Sequence, residues 1–218
     1  GEKIKYRPFL VKEQKTLMMA SESGDEKQIR DSLAGIIYSC TFEKVDPFTI
    51  PMFDVEFLFL RIRGKSVGEK IELNLLCPDD GETRVKTNLN LEDVGVNQKL
   101  GHTSEISITD KIKIIMNYPT LNDMVGMSDT ENAGFDQVIN MMKRCIHEVH
   151  DGETVHSKID MSESDLDEFI ESLTTEQFEN VANFFDTMPK VAHSIEVTNP
   201  KTKKKGEVVI EGIQSFFD

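Results

Sequence analysis

The sequence predicts an α+β protein in which short antiparallel β-hairpins pack with about six helices. Apolar residues recur at helical spacing in several segments, which is typical of amphipathic helices. Two pairs of segments alternate apolar and polar residues on either side of a polar turn, which is typical of hairpins. The chain has 218 residues, of which 38% are hydrophobic, so it is long enough to bury a core.

The N-terminal segment is expected to begin as a strand and to continue into two helices. Alternating side chains predict a short strand over residues 3–8. Apolar residues at helical spacing predict a helix over 10–22. A second helix is expected after the following turn, with Asp25 as its N-cap and apolar positions as far as Cys40.

The middle of the chain predicts a buried helix followed by a hairpin. Residues 52–62 are apolar on several sides, and Gly64 and Gly68 are expected to stop this helix. Alternation on both sides of the turn 78–81 predicts a hairpin over 69–91. Two further short strands are expected, at 106–108 and 112–114.

The second half of the chain predicts three helices and a closing hairpin. A stripe of apolar residues at helical spacing runs from Phe135 to Val149. Two capping boxes, which begin at Ser162 and Thr174, predict the starts of two more helices. Alternation on both sides of Asn199-Pro200 predicts a hairpin over 191–211.

The predicted elements also indicate an internal repeat and two subdomains. A helix over 52–62 precedes the hairpin 69–91, and a helix over 175–187 precedes the hairpin 191–211, so a helix-plus-hairpin unit occurs twice. We expect an N-terminal α+β subdomain over 1–118, with helices followed by a hairpin. A mainly helical C-terminal subdomain over 119–218 is expected to end in a hairpin.

The composition argues against nucleic-acid and membrane partners. Lys and Arg number 25 against 39 Asp and Glu, so the formal net charge is −14. Duplex nucleic acid and anionic membranes both attract clustered positive charge. No apolar stretch approaches the roughly 20 residues of a membrane span. The three widely spaced cysteines favour a reducing compartment, in which they serve as small apolar residues.

The candidate catalytic and metal-binding patterns are incomplete. Lys65 and Ser66 belong to a Gly-Lys-Ser triplet, but a phosphate loop would need glycine where Phe59 stands. Acidic residues over 163–171 fit the first turns of a helix better than a calcium loop. We therefore predict no catalytic residue, no bound metal and no cofactor, and a protein that is not an enzyme.

One cluster of histidines keeps an alternative open. His147 and His150 would lie on one face of a helix, with His156, Asp151 and Glu153 nearby in the sequence. A metal-dependent hydrolase centred on His147 and His150 is therefore the alternative from a different class of function, although the spacing of zinc proteases is absent.

Two segments are candidates for binding other proteins. Lys203, Lys204 and Lys205 form a basic hairpin tip on an acidic chain, and such a tip either is a solvated turn or docks on an acidic neighbour. Phe216 and Phe217 lie near the C-terminus, where they either fold back onto the core or anchor in a partner.

Several stretches resemble the baseplate hub and hub-assembly proteins of T-even-like contractile-tailed bacteriophages. The matching stretches span nearly the whole chain: 6–15, 53–69, Tyr118-Pro119, 173–178, 184–193 and 212–217. This resemblance implies a late, virion-morphogenesis role in viral tail assembly, through protein–protein interactions with other baseplate hub and tail proteins. It implies location in the host cytoplasm during assembly and, in one alternative, in the finished virion.

The resemblance leaves three points open. The protein either stays in the baseplate or acts as a transient hub-assembly chaperone that is absent from the mature virion. Whether it forms a homo-oligomer is a separate open point. Some relatives resemble zinc-knuckle proteins, with cysteines in both hairpin turns. Here the first turn keeps only Cys77 and the second has none, so plain turn chemistry is expected to close both hairpins.

Overall fold

A computed structural model describes residues 3–124 and 134–212. Within these ranges the fold is α+β, as predicted, with six helices and nine strands in antiparallel sheets. The helices are α1 Val11–Ser23, α2 Glu26–Cys40, α3 Met52–Val67, α4 Phe135–Cys145, α5 Glu163–Glu171 and α6 Thr175–Thr187. The strands are β1 Lys70–Leu76, β2 Arg84–Asn90, β3 Gly95–Asn97, β4 Glu105–Ser107, β5 Ile112–Met116, β6 Ile146–Asp151, β7 Thr154–Ser157, β8 Lys190–Thr198 and β9 Lys205–Glu211.

Contacts divide the chain into two units. The first unit comprises residues 1–97 and 189–218, and the second comprises residues 98–188. This grouping differs from the expected subdomains 1–118 and 119–218, because β3 pairs with β8 and so brings the last hairpin to the N-terminal part of the chain. As a result, the second helix of the expected repeat, α6, and its hairpin belong to different units.

The core of the first unit lies among its two hairpins and α3. β1 pairs with β2 from Lys70↔Asn90 to Leu76↔Arg84, and β8 pairs with β9 from Ala192↔Glu211 to Thr198↔Lys205. Both hairpins are therefore confirmed. One apolar cluster joins residues of α3, both hairpins and the link to β3: Leu60, Ile71, Leu73, Leu75, Leu89, Leu91, Val94, Val191, Val197 and Ile210.

Helix α3 is longer than the sequence predicts. Gly64 is buried inside the helix rather than at its end, and the helix stops only at Gly68, whose φ of 128° favours glycine. Ser66 lies in the last helical turn, where its hydroxyl donates to the Ile62 carbonyl and accepts from the Phe9 amide at 2.9 Å. The Gly-Lys-Ser triplet is therefore helical and does not form a phosphate-binding loop.

The N-terminal segment contradicts one prediction and confirms two. Residues 3–8 form no strand, since they have no partner in the sheets of the described residues. The Arg7 amide donates to the Cys40 carbonyl at the end of α2, at 2.9 Å. Instead, the Arg7 guanidinium pairs with Glu13 at 2.6 Å. Helices α1 and α2 follow as expected, and Asp25 caps α2 by accepting from the Lys27 and Gln28 amides.

The second unit packs three helices on a four-stranded sheet with the order β4-β5-β6-β7. Both predicted capping boxes are present, at Ser162 and at Thr174. The apolar cluster between the layers comprises Ile106, Ile114, Met116, Met142, Cys145, Ile146, Val149, Leu166, Ile170, Val181 and Phe184. None of the helices in the described ranges combines the length and apolarity needed to cross a bilayer.

A half-buried histidine links the loop before β4 to α6 in the second unit. His102 lies 3.0 Å from the Thr187 hydroxyl through Nδ1 and 3.1 Å from the Tyr118 hydroxyl through Nε2. Its ring also lies against Phe184, with 5.1 Å between the ring centroids. Burial lowers the pKa of His102 from its ordinary 6.5, because the charged ring would lose hydration there.

This lowered pKa makes stability depend on pH. As the pH falls below about 6.5, the unfolded chain takes up a proton at His102 before the folded chain does, so the free energy of unfolding falls. We expect urea denaturation to show lower stability at pH 5.5 than at pH 7.5. The difference should shrink in His102→Gln, and an undiminished difference in that variant would contradict this role of His102.

Candidate partner-binding site

The turns of the two hairpins meet in the first unit. A β-carbon built on Gly206, next to the start of β9, would lie 2.5 Å from Cγ of Pro78 in the β1–β2 turn. Side chains in proteins do not approach so closely, and the pyrrolidine ring of proline has little freedom to move away. Glycine at position 206 therefore allows the two turns to pack directly against each other.

Asn199 holds the two turns together. Its side-chain amide donates to Oδ1 of Asp79 at 2.9 Å and to Oδ2 of Asp80 at 2.8 Å, across the junction between the hairpins. Its carbonyl oxygen accepts from the Lys201 amide at 2.8 Å and the Thr202 amide at 3.2 Å. Since Asn199 is only 1% exposed, one buried side chain both shapes its own turn and binds the opposite turn.

The carboxylates of this junction are held ionised by their hydrogen bonds. The Thr83 hydroxyl and amide, together with Asn199, hold the pKa of Asp80 far below its usual range. The Thr202 hydroxyl and Asn199 lower the pKa of Asp79 in the same way. Hydrogen bonds to the charged form thus allow two adjacent carboxylates to coexist.

The cysteines of the described chain are free thiols. Cys40, Cys77 and Cys145 are all buried, and burial raises the pKa of each thiol, to about 12 for Cys145. Cys77 lies at the start of the first turn, and hydrogen bonds from Asn199 to Asp79 and Asp80 connect the two hairpins. In residues 3–124 and 134–212 no group of three or more His, Cys, Asp or Glu side chains is arranged to hold a metal ion.

The basic tip, defined here as residues 201–205, projects from this junction. The chain reverses at Lys203, whose φ is 62°, and the Asn199 backbone bonds to Lys203 and Lys204 at 2.9 Å. Lys205 pairs with Glu196 at 2.7 Å. The side chains of Lys203 and Lys204 are exposed, and no ion pair involves them within the described part of the chain. Lys201 is likewise exposed and in no ion pair within the described residues, so the tip presents three unneutralised cations on an ordered turn.

The structure places the other candidate residues elsewhere. Phe216 and Phe217 lie outside the described residues, so their two interpretations stay predictions. Asp165, in the first turn of α5, completes the capping box by accepting from the amide and hydroxyl of the N-cap Ser162, at 2.8 and 2.7 Å. The acidic run thus lies in the first turns of a helix, as its pattern indicates.

The histidine cluster lies on a strand rather than on the predicted helix. Helix α4 ends at Cys145, and β6 begins at Ile146 because this segment pairs with β5 and β7. His150 approaches Glu148 at 2.7 Å, and His147 approaches the same carboxylate at 3.7 Å. The predicted helical face for His147 and His150 is therefore wrong, and Glu148 is the group that both rings approach.

Sequence reasoning missed Asn199 as the residue that joins the turns. The Asn-Pro pair did indicate a turn, but nothing in one sequence shows which distant carboxylates an asparagine will bind. By contrast, the lysines of the basic tip lie at a hairpin turn, the position that the alternating pattern predicts.

The fold and the junction define an α+β protein in which two hairpin turns are joined by Asn199, and one of these turns carries the basic tip. A family model described as T4 bacteriophage base plate protein matches residues 1–218. The chain therefore belongs to this family, which confirms the predicted likeness to T4-type phage baseplate proteins. No curated protein matches the chain, and no solved structure does.

Proposed function

We propose that the protein is a structural or assembly component of the central hub of the tail baseplate. The observation that carries this proposal is the match of the whole chain to the baseplate family. The stretches that resemble hub and hub-assembly proteins support the hub in particular. The protein acts in the host cytoplasm while the baseplate is built and then remains in the tail of the virion, and it works without catalysing a chemical reaction.

The basic tip is the proposed contact with a neighbouring subunit. Lys203 and Lys204 are exposed and lack ion pairs within the described ranges, so a partner's carboxylates can replace water around them. The Asn199 clamp orders the turn before binding, which lowers the conformational entropy that docking would otherwise cost. Such a contact favours rapid, salt-sensitive association with an acidic surface.

A pull-down from infected cells tests this proposal. The tagged protein is expected to retain other hub and tail proteins, which mass spectrometry identifies. The variant Lys203→Glu/Lys204→Glu should retain them at least about threefold less, and raising the salt concentration should weaken the wild type similarly.

The matched control reverses two exposed lysines on α1, Lys12→Glu/Lys15→Glu, which leaves the tip intact. Equal retention by the tip variant and the wild type would contradict docking through the tip. Retention of no tail protein by the wild type would contradict the proposed function itself.

The alternative within this class is a transient hub-assembly chaperone. The same contacts would then form on assembly intermediates and break before the particle is complete. Mass spectrometry of purified virions separates the two roles, because a structural component is present at a fixed ratio to other baseplate proteins, whereas a chaperone is absent.

A further inference from the structure

We propose that a groove on the second unit receives the basic tip of a second copy of this chain. This inference rests on the proposed function, in which the tip docks on an acidic neighbour, and it adds a second copy of this chain to the proteins that the tip contacts. The contact joins two different surfaces, tip and groove, so each copy in a pair still has one of them available. Head-to-tail contacts of this kind build rings or open arrays.

The groove lies between the sheet of the second unit and α5, with a volume of about 440 Å³. Strand pairing places Ile112 opposite Asp151, and Val149 opposite His156. The helical side contributes one more apolar residue, Phe169. The full lining comprises Ile112, Val149, Asp151, His156, Asp160, Met161, Asp165 and Phe169. The groove therefore combines four apolar side chains with three carboxylates.

The charge of this groove is negative and largely unneutralised. Asp151 and Asp160 are exposed, and neither forms an ion pair within residues 3–124 and 134–212. Asp165 is already hydrogen-bonded to Ser162, but it keeps its negative charge. Among the described residues neither lysine nor arginine lines the groove. A cationic occupant would therefore gain attraction without displacing a resident cation.

The basic tip is complementary to this groove in charge, and the long alkyl stems of its lysines can pack on the apolar side chains of the groove. Residues 201–205 contain four lysines, in a chain whose formal net charge is −14. Lysine buries its alkyl stem on apolar surface while its ammonium group stays at the polar edge. Lys203 and Lys204 would lay their stems against Met161 and Phe169 and direct their charges toward the carboxylates. At physiological salt the repulsion between two acidic copies is screened beyond about 8 Å, so it does not prevent a local contact between opposite charges.

Cross-linking of mixed isotopic samples tests the contact directly. Equal amounts of ¹⁵N-labelled and unlabelled full-length protein are mixed and treated with a carbodiimide, which joins a lysine to a carboxylate without a spacer. We expect mixed-isotope peptides that join Lys203 or Lys204 to Asp151 or Asp160. Absence of such mixed peptides at concentrations where the protein sediments as more than a monomer would overturn the proposal, as would a wild type that stays monomeric.

Charge-reversal variants of the tip and of the groove provide a second test of the contact. Sedimentation should show a dissociation constant at least about tenfold higher for Asp151→Lys/Asp160→Lys and for Lys203→Glu/Lys204→Glu, each examined alone. A mixture of these two variants should regain association, because the unaltered tip of the groove variant meets the unaltered groove of the tip variant. The acidic tip of the tip variant likewise meets the basic groove of the groove variant. The control Glu176→Lys/Glu179→Lys reverses exposed carboxylates on α6 and should associate like the wild type.

Circular dichroism melting verifies that every variant is folded. Wild-type association by the groove variant, or failure of the mixed variants to associate, would overturn the inference. The pull-down of tail proteins is a separate readout, so the baseplate function can hold while the self-contact fails.

Discussion

Gly206→Ala is expected to destabilise the protein by about 1–3 kcal/mol, the usual cost of overpacking a close contact. The added β-carbon would lie 2.5 Å from Cγ of Pro78, so the two hairpin turns must move apart. The backbone at Gly206 does not have the left-handed conformation that penalises alanine, so the whole effect comes from this collision. Urea denaturation measures the loss.

A double-mutant cycle isolates the collision. Pro78→Ala removes the ring atoms nearest the new β-carbon, so Gly206→Ala should cost less in the Pro78→Ala background than in the wild type. Gly35→Ala is the matched glycine control, because Gly35 lies in helix α2 with open space around it, and we expect a gain of about 0.5–1 kcal/mol there. Additive effects of Pro78→Ala and Gly206→Ala would contradict direct packing of the turns.

Asn199→Ala is expected to cost about 2–3 kcal/mol, because a buried side chain with four hydrogen bonds is removed. Its loss leaves the Lys201 and Thr202 amides without their acceptor and separates Asp79 and Asp80 from the opposite turn. The basic tip should therefore become less ordered as well as less stable. Hydrogen exchange at residues 201–204 measures the local effect, and urea denaturation measures the global one.

The control for this substitution is Asn88→Ala on β2. Asn88 is exposed, and its side chain makes no hydrogen bond within residues 3–124 and 134–212, so its replacement should change stability by no more than about 0.5 kcal/mol. Asn199→Asp tests the same contacts more severely, since a third carboxylate would replace the amide that donates to Asp79 and Asp80. If Asn199→Ala and Asn88→Ala have equal effects, Asn199 is not a clamp.

Local sequence patterns predicted most of the secondary structure. Alternation on both sides of a polar turn located β1–β2 and β8–β9, and the capping boxes at Ser162 and Thr174 located α5 and α6. These features are determined within a few residues of chain, so one sequence contains the information.

Features that depend on distant partners were not predicted. The apolar stripe from Phe135 to Val149 continues with helical spacing, yet β6 begins at Ile146 because strands β5 and β7 supply its hydrogen bonds. The short strand β3 exists only through its pairing with β8. Tertiary pairing can override helical periodicity in this way.

In the candidate site, too, the local features were predicted from the sequence and the contacts between distant residues were not. Its lysines are visible as a run of charge at a turn, whereas the contact of Asn199 with Asp79 joins residues far apart in the sequence. The close approach of Gly206 to Pro78 likewise appears only when both hairpins are in place. Periodicity and spacing report on local structure, so they contain no information about which two turns will meet.

Deletion of the gene from the phage tests the central claim most directly. Virus grown on a host that supplies the protein would infect cells that lack it, and the products would be examined by electron microscopy and mass spectrometry. The proposed role predicts filled heads with no functional tails, together with baseplate intermediates that lack a complete hub. Normal, infectious particles from such an infection would contradict a structural or assembly role in the baseplate.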